Sequence, residues 1–185
     1  MLNITSVPNS TISTVEPEPP GEWYALQTKP RHEKRIAAKL ASKGFFCFLP
    51  MHAELRQWSD RKQRVELPLF SNYLFTKTDR SRESRGAILR TDGIISFVGS
   101  GGYGTPIPNE QMDAVRAIVR DRIAFTHHPF LNVGQRVRVR GGSLDGIQGI
   151  LVSKNGDQSL IISVETIQRS LALRVEGYVV EPVHQ

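Results

Sequence analysis

Trp23-Tyr-Ala-Leu-Gln27 runs directly into Thr28-Lys-Pro-Arg-His-Glu33, and these eleven residues set the reading of the rest of the chain. The first five are aromatic and apolar and predict a short first strand. Pro30 then opens a helix that extends to Lys43, because a proline's missing N–H is not needed in a first helical turn. Ile36, Ala37, Leu40 and Ala41 fall at helical spacing and form the stripe to be buried. Lys29, Arg31, Lys34, Arg35, Lys39 and Lys43 flank that stripe and face outward. Gly44 suits the position just after the last turn.

Toward the N-terminus, residues 1–21 are rich in Ser, Thr, Pro and Glu and end in Glu16-Pro-Glu-Pro-Pro20-Gly21. Such a segment cannot bury enough apolar surface to offset its chain entropy, which predicts a disordered tail. In the other direction, Phe45-Phe-Cys-Phe-Leu49 is a buried strand closed by Pro50. Arg56 to Arg64 is a polar, basic hairpin tip. Residues 65–76 hold a second aromatic strand, with Leu69-Phe-Ser-Asn-Tyr-Leu-Phe75 at its centre. A short helix over Ser81–Arg90, a strand over Ile94–Val98 and a glycine-rich loop over Gly99–Gly104 follow. Asn109–Ile123 is a second clear helix. Asn109 is its expected N-cap, and Met112, Val115, Ile118, Val119 and Ile123 trace one face. Thr126-His-His-Pro129 breaks that helix as part of a linker, placed at residues 125–131.

Beyond Leu131 the pattern changes. Val137-Arg-Val-Arg140, Gly149-Ile-Leu-Val152, Leu160-Ile-Ile-Ser-Val164, Leu171-Ala-Leu-Arg-Val175 and Tyr178-Val-Val180 are short runs rich in β-branched residues. Gly141-Gly142 and Asp145-Gly146 mark turns between them. Five such strands over residues 132–185 predict a small barrel. The fold class is therefore α+β, with a mixed unit over residues 22–124 followed by the barrel.

Composition narrows function. At 185 residues, with 39% hydrophobic and 23% charged residues, the chain is neither wholly disordered nor membrane-embedded. No apolar run reaches the roughly 20 residues of a membrane span. There is no basic leader followed by an apolar stretch, so a cytoplasmic protein with no membrane partner is expected. A single cysteine excludes an internal disulfide framework. The net charge is +6, and it is uneven: residues 21–125 hold 18 Lys/Arg against 11 Asp/Glu, whereas residues 126–185 hold 6 against 5. The basic half points to a polyanion, and the asymmetry to two units with different partners.

Enzymatic readings fare poorly. Cys47 lies between phenylalanines and is expected to be buried and inert. His127 and His128 are adjacent, so their side chains diverge, and no second ligand cluster accompanies them. Gly99–Gly104 lacks the Lys-Ser/Thr of a phosphate-binding loop. No catalytic residue, metal or cofactor is expected. The basic helix has two readings, a solvated face or a phosphate-contacting one. The aromatic strand likewise is either core or a partner-binding patch.

Five segments in order resemble the NusG family of transcription elongation factors. They are Trp23–Glu33, Pro68-Leu-Phe-Ser-Asn-Tyr-Leu-Phe75, Thr91-Asp-Gly-Ile-Ile-Ser-Phe-Val-Gly99, Pro106-Ile-Pro108, and residues 133–149, the last similar to the KOW motif. The resemblance implies a four-stranded antiparallel α/β sandwich that binds the clamp helices of RNA polymerase. It also implies an SH3-like KOW barrel that recruits a further factor. It places the polymerase contact on Trp23, Phe70 and Tyr73, with Leu69 and Ile94 nearby. By resemblance to antiterminator paralogues such as RfaH, Lys29, Arg31, Lys39 and Lys43 face the non-template DNA. Leu144 and Ile147 take the position of the barrel's partner contact. Housekeeping members carry an aromatic there for Rho or a ribosomal protein. Ile147 departs from that pattern and tilts the expectation toward a specialised antiterminator acting as a monomer. A Rho-assisting NusG and a general RNA- or ribosome-binding KOW protein are the alternatives. The β-rich runs and Gly146, Gly149 and Gly156 predict a stable barrel and not a helical hairpin.

Overall fold

The structure is a computed structural model. It describes residues 18–57, 62–79, 81–128, 130, 134–154, 157–175 and 178–183. Most of the expected tail, the tip of the basic hairpin, part of the linker and Gly156 lie outside these residues.

The first strand, β1 (Glu22–Thr28), lies inside a four-stranded antiparallel sheet. Helix α1 (Glu33–Ser42) follows, then β2 (Phe46–Phe48), β5 (Tyr73–Thr78), helix α2 (Arg82–Leu89) and β6 (Ile94–Phe97), giving the order β2-β5-β1-β6. Between β2 and β5, β3 (Met51–Gln57) and β4 (Lys62–Pro68) form a separate two-stranded hairpin. Trp23 to Leu26 are buried without alternation, because β1 is covered on both faces. On one face Tyr24, Leu26, Leu74 and Phe97 pack against Ile36, Ala37 and Leu40 of α1 and Ile88 of α2. On the other, Trp23, Ala25 and Phe75 lie in one cluster with Met112, Val115 and Ile118 of α3 (Asn109–Arg120).

Several boundaries differ from expectation. Pro30 precedes α1: Arg31 turns through φ 62° and the helix begins at Glu33. The C-terminal end is as expected, with Gly44 at φ 80° and its N–H donating to Ala41 O at 2.9 Å. The expected single strand through Leu69–Phe75 is broken by a turn with Asn72 at φ 70°, so Leu69 and Phe70 belong to that turn. Asn109 is the first residue of α3, and Pro108 holds the cap position. The helix stops at Arg120, where Arg122 adopts φ 52° and Ile123 N–H returns to Ile118 O at 3.0 Å.

Phe125–His128, expected within the linker, is a strand, β7. It pairs antiparallel with β11 (Arg169–Arg174). The C-terminal sheet contains the five expected strands plus this one, in the order β12-β8-β9-β10-β11-β7. The remaining ranges are β8 (Arg136–Arg140), β9 (Gln148–Lys154), β10 (Asp157–Val164) and β12 (Val179–Pro182). Val137, Val139, Leu160, Ile162, Leu171 and Leu173 form its core, which is continuous with the cluster beneath α3. Helix α3 also touches β10, and Gln111 Oε1 accepts the Glu165 N–H at 3.1 Å.

Candidate functional site

Strand register assembles an aromatic face. Trp23 stands opposite Lys77, Ala25 opposite Phe75, and Gln27 opposite Tyr73. Phe46 stands opposite Lys77 and Phe48 opposite Phe75. Directly opposed residues project to the same side of a sheet. Trp23, Phe46, Phe48, Tyr73 and Phe75 therefore share one face. Trp23 meets Phe46 and Phe48 edge-on, with centroids 5.8 and 6.4 Å apart. Phe70 reaches the same face from the turn, edge-on to Phe75 at 6.0 Å.

Two cations lie over Trp23. The Arg116 guanidinium is 4.6 Å from the ring centroid and the Lys77 ammonium 5.9 Å. Glu18, at the end of the tail, holds both: its carboxylate accepts from Lys77 at 2.8 Å and pairs with Arg116. Burial pushes the Glu18 carboxyl up, but these two cations outweigh it and leave the group below the usual carboxylate range. Trp23, Leu69 and Phe70 are 1%, 0% and 4% exposed. Tyr73 is only half-buried, so of the four it offers the most surface to a partner.

Ile94 does not join them. It packs with the cluster of Tyr24, Leu26 and Leu74, on the α1 side of the sheet. The register shift between Gln27 and Thr28 pairs Ile94 with Thr28, and this takes it away from the aromatic face.

The basic residues form a second face. Arg35, Lys39 and Lys43 stand four residues apart along α1 and its C-cap, and Arg31 lies in the turn that precedes the helix. Asp92 gathers three cations: Arg35 Nη2 and Lys39 Nζ each at 3.1 Å, and Lys29 Nζ at 3.9 Å. The hydrogen bond from Lys39, with the charges of Lys39, Arg35 and Lys29, lowers the Asp92 carboxyl below its ordinary range. Lys43 Nζ donates to Thr91 Oγ1 at 2.8 Å. Sequence reading placed Arg35 outward but left it out of the site, although the four-residue step includes it. Asp92 carried no such signal, because its partners on α1 are more than 50 residues away in sequence. A broad groove is lined by Leu69, Val119 and Phe125 together with Arg31, Lys34 and Arg122.

In the C-terminal sheet, Leu144 and Ile147 are 2% and 6% exposed. Gly146 N–H donates to Val139 O and Val139 N–H to Ile147 O, both at 2.9 Å. These bonds fold the loop back on β8, and both side chains are buried in the core. Cys47 is buried and its thiol is pushed up to about 11 by desolvation. A thiol so rarely ionised is a poor nucleophile. The glycine-rich loop has a structural partner: Arg85, itself buried, donates to Gly102 O at 3.0 Å and to Tyr103 O, with its guanidinium 4.3 Å from the Phe97 centroid.

The order of elements, the aromatic face and the C-terminal sheet meet an independent finding. A family model described as transcription termination factor nusG matches residues 21–116, more than half of the chain. The chain belongs to the NusG family. NusG-family proteins are transcription termination/antitermination factors and not enzymes. The transcription termination/antitermination protein NusG of Borreliella burgdorferi is 25% identical over 181 residues, covering 87% of this chain and 98% of the relative. That of Staphylococcus carnosus is 24% identical over 167 residues, covering 83% and 91%. A solved structure described as domain interaction in Thermotoga maritima NusG has a TM-score of 0.50 at 17% identity, covering 88% of this chain and 97% of that one. At that identity the likeness shows the fold. Among the described residues no helix is long and apolar enough to cross a membrane.

Proposed function

We propose that this NusG-family member binds the clamp helices of RNA polymerase through its aromatic face and suppresses pausing. The row from Arg31 to Lys43 lies along the exposed non-template DNA, and the barrel recruits a further protein. The observation that carries this reading is the gathering of Trp23, Phe70 and Tyr73 with Phe46, Phe48 and Phe75 on one sheet face, with Tyr73 partly open to solvent. Helix α3 covers Trp23 and Phe75 on that face, so the part offered to the apolar ridges of a helical partner is its partly exposed edge, Tyr73 and Phe46. Binding that favours the elongating form of the polymerase draws population away from paused states. The protein acts in the cytoplasm as a monomer.

Within the family, a specialised antiterminator is favoured over a Rho-assisting factor. Ile147 is aliphatic and buried, whereas the resemblance places an aromatic partner contact at that position. In vitro transcription across a pause site tests the main reading. The chain shortens the pause, Tyr73→Ala loses most of that effect, and Val179→Ala, an exposed position on β12, keeps it. A Tyr73→Ala variant as active as the parent contradicts the reading.

A further inference from the structure

Asp92 sits on a rigid turn. Ile94 N–H donates to Thr91 O at 3.1 Å, and Lys29 N–H donates to Gly93 O at 2.8 Å. Gly93 has φ 100°, and a Cβ there would stand 2.8 Å from Ile36 Cδ1, so the turn is pressed against α1. The backbone is fixed while the Asp92 side chain stays 61% exposed. Three cations reach it from two elements, Lys29 after β1 and Arg35 and Lys39 from successive turns of α1. Their side chains are 58%, 53% and 41% exposed.

Stability does not account for this arrangement, because exposed pairs of this kind contribute little to folding. Three cations on one carboxylate also leave a local excess of positive charge. A carboxylate and a phosphodiester both present two oxygens sharing one negative charge, and guanidinium and ammonium donors satisfy either.

We propose that Asp92 is an internal stand-in for phosphate, which holds Lys29, Arg35 and Lys39 together and competes with a single-stranded DNA backbone for them. It thereby sets the affinity and salt dependence of the basic face. The inference rests on the reading of that face as the nucleic-acid contact. When DNA binds, its phosphates take over the three cations and release their own counterions. Asp92 is then left without its partners, and this lowers the net gain. Asp92 is thus a positioning residue whose charge sets a ceiling on affinity.

The test is fluorescence anisotropy of the full chain with a mixed-sequence single-stranded DNA oligonucleotide over a series of salt concentrations. Asp92→Asn is expected to bind about three- to tenfold more tightly at low salt, the scale of one exposed unit charge at contact distance. Its plot of log affinity against log salt steepens by about 0.7 for each cation freed. Asp92→Glu keeps the parent affinity and slope, and Asp92→Ser reproduces the Asn result if the amide disturbs the turn. Equal or weaker binding by both neutral variants, with an unchanged slope, overturns the proposal. An Arg35→Ala, Lys39→Ala double variant separates the two ideas. If it weakens binding while the Asp92 variants change nothing, the basic face stands and the role of Asp92 falls. If it binds like the parent, both fall.

Discussion

Glu33 is 4% exposed, and its carboxylate has a specific task. Glu33 Oε1 accepts the Asn72 N–H at 2.9 Å, and Thr28 N–H donates to Asn72 O at 2.9 Å. The turn that carries Phe70 and leads into Tyr73 is thereby tied to the first turn of α1, where a negative charge also suits the helix dipole. Glu33→Ala leaves that N–H without its acceptor in a half-buried place. We expect a loss of about 1–3 kcal/mol, read as a lower urea midpoint with an unchanged slope. Asparagine tolerates positive φ, so Asn72 suits the turn that interrupts the strand expected through Leu69–Phe75. The same conformation at Arg31 and Arg122 was not legible in the sequence, because arginine carries no such preference. This is why the start of α1 and the end of α3 were each misplaced by about one turn.

At the level of elements, local signals served well where the packing is local. The Ile36–Leu40 stripe and Gly44 define α1 without reference to the rest of the chain. Strand β7 was missed because Phe125-Thr-His-His128 is short and lies beside a proline, and its partner β11 is over 40 residues away. Helix α3 showed one apolar face in sequence, yet Ala114 is buried as well. It lies beside β9 and β10, along a second line of contact between α3 and the C-terminal sheet. Gly149 marks the tightest approach within that sheet: a Cβ there would stand 2.4 Å from Ile161 O, a backbone atom that cannot give way alone. Gly149→Ala is expected to destabilise the barrel by about 1–3 kcal/mol and to lower its thermal midpoint. An unchanged midpoint would show that β9 and β10 separate without cost.

Across the whole molecule, the order of motifs carried the family and the general fold, and register supplied the site. Sequence could name Trp23, Phe70 and Tyr73, but it could not show that Phe46, Phe48 and Phe75 complete their face. Nor could it show that Arg116, Lys77 and Glu18 cover Trp23. Those relations depend on which strands become neighbours. The same dependence explains why Ile94 lies on the other side of the sheet. The uneven charge has a structural counterpart: the basic row is on α1, separate from the aromatic face, and in the function proposed above it would orient a complex gripped by apolar contact. The most direct measurement is the affinity of the intact chain for RNA polymerase, parent against Tyr73→Ala, with the fold of each checked by circular dichroism. The account predicts a loss of about 1–3 kcal/mol, or roughly five- to 150-fold in Kd. Equal affinity for a folded Tyr73→Ala variant would contradict it.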